Sequence, residues 1–81
     1  MKKLNVLLVE DDPSLLALTS ALLRPHYNVL QASNVADARA TLASETVDIA
    51  LLDLGLPDED GLVLARSMRA KSAHPPIIFV S

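Results

Sequence analysis

No cysteine and no tryptophan occur in these 81 residues, and tyrosine and phenylalanine appear once each. Without cysteine there is neither a disulfide to staple a small fold nor a thiolate to hold a metal. Tyr27 and Phe79 alone read as packing residues rather than a stacking platform. Basic residues are also few, seven against ten acids, for a formal net charge of −3. They are not clustered, which argues against a nucleic-acid surface in this segment. Long apolar runs are missing as well. Met1-Lys2-Lys3 followed by Leu4–Val9 starts like a secretory leader, but Glu10-Asp11-Asp12 breaks the run before it reaches the length of such a core. Nothing approaches the ~20 apolar residues of a membrane span. A cytoplasmic location is the expectation, with no membrane partner. Only two glycines are present, and no glycine-rich turn follows the first apolar run, which weighs against a flavin or dinucleotide site.

What remains is a chain that is 51% hydrophobic, too apolar for disorder and long enough for one domain. Short β-like runs alternate with helical patterns, as in a parallel α/β sheet. Residues 4–9 (LNVLLV) read as a first, buried strand. Asp12-Pro13 reads as an N-cap and first helical position, opening a helix over 13–24 with Leu15, Leu18, Ala21 and Leu22 at helical spacing. Strand two is expected at 27–32, a helix at 34–44 with Val35, Ala38 and Leu42 on its apolar face, and strand three at 47–52. A loop over 53–60 follows. Asp60 is expected to cap a helix over 61–70 that turns Leu64 and Met68 inward, and strand four to occupy 76–80. The order βαβαβαβ, with right-handed crossovers, places helices on both faces of the sheet.

Three carboxylates carry the chemistry. Glu10 and Asp11 follow strand one, and Asp53 follows strand three, so adjacent parallel strands would bring all three to one sheet edge. Ligands in such folds sit at the carboxyl ends of the strands. Like charges held close must keep a proton or recruit a cation, and hard oxygen donors suit Mg²⁺. Glu10 and Asp11 are the candidate ligands, Asp53 both ligand and nucleophile, and the backbone carbonyl of Gly55 a further donor. Asp12 is assigned to helix capping alone. Asp58, Glu59 and Asp60 read as a solvated loop plus a cap. His26 and His74 stand beside prolines with no second ligand at metal spacing.

VEDD at 9–12, LLDLGLPDEDGL at 51–62 and PIIFVS at 76–81 together closely resemble the receiver domain of two-component response regulators. The resemblance covers the whole chain and rests on the acidic pair, the D-x-x-x-P-x-x-x-G core (Asp53, Pro57, Gly61) and the hydroxyl residue closing the last strand. It implies a flavodoxin-like, doubly wound parallel sheet of order 2-1-3-4-5. It implies Asp53 as phosphoacceptor, Glu10 and Asp11 as the Mg²⁺-binding pair aided by the Gly55 carbonyl, and Ser81 as the hydroxyl that contacts the phosphoryl group. The implied partner is a histidine kinase or phosphotransfer protein, and the implied parent a transcriptional regulator whose DNA-binding domain lies elsewhere. A haloacid-dehalogenase-type phosphatase would need a second aspartate two residues after Asp53, where Gly55 stands. Receiver domains have five strands, so residues 1–81 are expected to be truncated after the fourth, without the last helix–strand–helix portion and its lysine, and impaired as a phosphoacceptor. Apolar residues of strands one and three should then be open, and the exposed fourth strand should favour a homodimer or domain-swapped oligomer.

Overall fold

The computed structural model describes residues 2–80. Its elements are β1 (Asn5–Val9), α1 (Pro13–Leu23), β2 (Asn28–Ala32), α2 (Val35–Ser44), β3 (Ile49–Leu52), α3 (Gly61–Arg69) and β4 (Ile77–Phe79). All strands pair in parallel, in the order β2-β1-β3-β4. The expected elements are all present, each trimmed by one or two residues.

Local chemistry explains the helix starts. Asp12 accepts hydrogen bonds from the N–H groups of Ser14 and Leu15, and Pro13 fills the first helical position, where a missing N–H costs nothing. Asn34 accepts from Asp37 N–H ahead of α2, and Asp60 from Leu62 N–H ahead of α3. Each side chain satisfies an amide that the helix itself leaves unpaired.

The main core lies between one sheet face and helices α2 and α3. Leu7 and Val9 of β1 and Ala50 and Leu52 of β3 meet Val35, Ala38, Leu64, Ala65 and Met68 there. Val6 and Leu8 point to the other face, alternate as strand residues must, and are equally buried. The expectation that β1 would open is therefore incorrect. Every residue from Val6 to Val9 is buried, because β1 is central and has a helix on each side.

Open apolar side chains lie instead on α1 and β4, with Leu4 and with Leu62 and Val63 of α3 also exposed. Leu15, Leu18 and Leu22 are 49%, 58% and 68% exposed, and Ile78 and Val80 are about half exposed. The side chain that α1 buries fully is Ser20, whose hydroxyl accepts a 2.7 Å hydrogen bond from Gln31 Nε2 on β2. The leucine spacing was read correctly as one face, but in this chain that face is uncovered. On β4, Pro76 C=O and Val80 N–H bond inward to β3, so strand alternation turns the N–H and C=O of Ile77 and Phe79 outward.

Candidate metal and phosphoryl site

Register brings the three acids together. Val9 pairs with Ala32 on one side and Leu52 on the other, so the next residues, Glu10 and Asp53, leave adjacent strands at the same level. Two backbone bonds hold this exit: Asp53 N–H to Val9 C=O and Glu10 N–H to Ala32 C=O, each 3.0 Å. One carboxylate oxygen from each of Glu10, Asp11 and Asp53 then lies within 4.8 Å of the others. The convergence expected from the sequence is present.

The three environments differ. Glu10 is buried, Asp11 exposed and Asp53 half-buried. Glu10 Oε2 accepts from Asp11 N–H at 3.0 Å, which turns its carboxylate back over the strand end. Asp53 Oδ1 accepts from Gly55 N–H at 3.1 Å, a turn that fixes this oxygen at the strand end. The Glu10 carboxyl is raised from its ordinary 4.5 to about 7. Its hydrogen bond with the Asp53 carboxyl is the largest cause, followed by burial and by the like charge on Asp53. The N–H groups of Asp12 and Asp11 pull weakly the other way. Without a cation, the Glu10 carboxyl therefore keeps its proton to higher pH than an ordinary glutamate.

Those observations fit a hard divalent ion. Three carboxylate oxygens at this spacing can share one cation, which removes the repulsion that otherwise holds the proton. The acids form the floor of an open cleft of about 420 Å³, walled by Asp12, Leu15, Thr19 and Val80. Gly61 closes the loop behind Asp53. Its N–H donates to Leu54 C=O at 3.0 Å, and a Cβ at that position would run into the Asp53 carbonyl oxygen. Glycine is required there for space, since its φ is not positive.

A family description named "Response regulator receiver domain" matches residues 6–81. The chain belongs to that family. Among curated relatives, this receiver domain is 39% identical over 75 residues to the transcriptional regulatory protein KdpE of Staphylococcus aureus, covering 91% of this chain and 32% of that protein. It is 43% identical over 79 residues to the swarming motility regulation protein RssB of Serratia marcescens, covering 96% and 36%. The chain thus spans about a third of the length of the curated relatives it matches. Among solved structures, it superimposes on the non-phosphorylated HemR receiver domain from Leptospira biflexa with TM-score 0.85 at 33% identity, covering 95% of this chain and 63% of that one. The MaeR response regulator bound to beryllium trifluoride gives TM-score 0.88 at 28% identity, covering 95% and 66%.

The remaining sequence candidates divide. Ser81 lies outside the described residues. Among the described residues, no helix is long and apolar enough to cross a membrane. Asp58 lies in an exposed loop, as expected, but it also makes a contact that the sequence does not show. Its carboxylate accepts from Val35 N–H at 2.9 Å and Ala36 N–H at 3.0 Å, across 23 and 22 residues, at the start of α2. These amides hold its carboxyl below the usual aspartate value. No local pattern announces this contact, because it exists only once the loop after β3 has folded over α2.

Proposed function

We propose that Asp53 is the phosphoacceptor of a two-component response regulator, taking a phosphoryl group from a histidine kinase or phosphotransfer protein. The observation that carries the reading is the joint placement of Glu10, Asp11 and Asp53 within 4.8 Å at the strand ends of a receiver fold. Glu10 and Asp11 would hold Mg²⁺ with one oxygen of Asp53 and the Gly55 carbonyl. The cation, when bound, offsets charge on the transferring group. The chain's own work is positioning. Gly55 N–H holds Asp53 Oδ1, and the Asp53 carboxylate attacks phosphorus as the bond to the donor breaks. The product is an acyl phosphate on Asp53, later lost to water. Ser81 is proposed to contact the phosphoryl group by its place in the family motif.

The test is incubation with Mg²⁺ and acetyl phosphate, followed by intact-mass measurement. A single labile phosphoryl adduct is expected on the wild-type chain and none on Asp53→Asn. No adduct on the wild type would remove this chain's phosphoacceptor role.

A regulatory output follows from the relatives. Those named above are a transcriptional and a motility regulator, so the whole protein is proposed to control transcription through residues outside this segment. The 81-residue chain is further proposed to self-associate through β4. The support is the outward N–H and C=O groups of Ile77 and Phe79 beside exposed Ile78 and Val80. Domain swapping is an alternative route to the same oligomer.

A further inference from the structure

We propose that Asp58 is a positioning residue that fastens the Asp53 loop to helix α2 and thereby sets the metal and phosphoryl site. This inference rests on the phosphoacceptor reading for its catalytic consequence, though not for its effect on cation binding.

The hydrogen bonds at the start of α2 can be accounted for one by one. An α-helix leaves its first amides without internal partners. Here Asp37 N–H goes to Asn34 Oδ1 at 2.8 Å, the ordinary capping bond from the preceding residue. The two amides before it go elsewhere: Val35 N–H to Asp58 Oδ1 and Ala36 N–H to Asp58 Oδ2. Both oxygens of one carboxylate, carried on a different loop, complete the cap. The positive end of the α2 dipole favours that charge.

A second tie runs in parallel. Arg39 on α2 pairs with Glu59 at 3.2 Å and donates to Ser67 Oγ on α3 at 3.1 Å. Asp58 and Glu59 are therefore both held against α2, one by backbone amides and one by a guanidinium.

The far end of the same loop is equally fixed. Gly61 N–H donates to Leu54 C=O, and Gly61 stands against the Asp53 backbone. Between these anchors lies Gly55, whose N–H holds Asp53 Oδ1 and whose carbonyl is the proposed fourth metal donor. Release of the Asp58 end leaves the exposed Arg39–Glu59 pair and buried Leu56 as the remaining ties on that side of the segment from Leu54 to Pro57. Gly55 then loses part of the constraint that holds its amide on Asp53 Oδ1. Asp58 touches neither metal nor phosphoryl group, so its action is indirect, as with outer-shell partners that orient metal ligands.

The discriminating comparison is between Asp58→Ala and Asn34→Ala in the full chain. Both remove a cap from α2, but only the first frees the loop. Mg²⁺ titration and amide hydrogen exchange on ¹⁵N-labelled protein supply the readouts. Asp58→Ala should weaken Mg²⁺ binding by about 10-fold and raise exchange at Gly55, whereas Asn34→Ala should change Mg²⁺ affinity by less than about twofold. Acyl-phosphate formation at saturating Mg²⁺ should slow with Asp58→Ala and not with Asn34→Ala. Equal effects of the two variants on α2 exchange, with Mg²⁺ affinity unmoved in both, would reduce Asp58 to a helix cap and overturn the proposal. A wild-type chain that forms no adduct would count against the phosphoacceptor reading alone, because Mg²⁺ affinity and Gly55 exchange still decide the role of Asp58. Should Asp58→Ala fail to fold, Asp58→Asn, which keeps one acceptor oxygen, decides it: an intermediate loss of Mg²⁺ affinity supports the clamp, and an unchanged affinity refutes it.

Discussion

A proton and a cation compete for the same oxygens at the strand ends, and the structure sets the terms. The Glu10 carboxyl, held against Asp53, titrates at about 7 rather than 4.5. At pH 6, roughly ten in eleven sites then carry a proton that Mg²⁺ must displace, which weakens apparent binding about 11-fold relative to the ionised site. At pH 8 the penalty is only about 1.1-fold, so the dissociation constant should fall roughly tenfold between pH 6 and pH 8. An ordinary glutamate would give a change of only a few per cent over this range. Calorimetric titration with Mg²⁺ in two buffers of different ionisation enthalpy measures both the affinity and the protons released, expected at about half a proton per Mg²⁺ at pH 7. Stability should move with the same group. Its folded value lies above its unfolded one, so the metal-free folded chain binds the extra proton between about pH 4.5 and 7. Stability is therefore greatest below that window, falls as pH rises through it, and stays lower above. Saturating Mg²⁺ should cancel the fall. Equal Mg²⁺ affinity at pH 6 and pH 8 without proton release would refute the proton held at Glu10.

Two further expectations concern the loop and the edge. Gly61→Ala forces a methyl group against the Asp53 carbonyl and Leu54 Cα, a backbone clash that should cost about 1–3 kcal/mol in urea unfolding; an unchanged midpoint would show that the loop has room. Ile78→Lys, placed where the side chain is 52% exposed, should lower the concentration dependence of the sedimentation coefficient. A wild-type chain that sediments as a monomer at every concentration would dismiss the β4 contact.

Much of this architecture could be read from residue order because its signals are local. Strand one carries the apolar run Val6–Val9, Asp12-Pro13 and Asp60 are capping residues at their helices, and the acids stand directly after their strands. A parallel sheet turns that short-range fact into a shared site, since all strand ends point the same way. Asp58 was missed for the opposite reason, as its partners lie 22 and 23 residues away. Leu15, Leu18 and Leu22 show a different limit: spacing reveals that side chains share a face but not whether anything packs on it. Ser20 is the converse, a polar residue buried because Gln31 supplies its partner. The shift at Glu10 depends on a tertiary neighbour and on burial, neither of which has a sequence signature.

At the opposite rim, Asn5 N–H donates to Asp48 Oδ2 and Asn5 Nδ2 to Thr46 C=O, both at 2.7 Å, while Asn28 Nδ2 donates to Asn5 Oδ1 at 3.2 Å. One asparagine at the start of β1 thus bolts that strand to the first residue of β2 and to the segment leading into β3. A slip of one residue would carry Glu10 about 3.3 Å along its axis away from Asp53 and swap the faces of every β1 side chain. Asn5 is therefore the benchmark from which the acid triangle is surveyed, a whole strand length from any chemistry it governs.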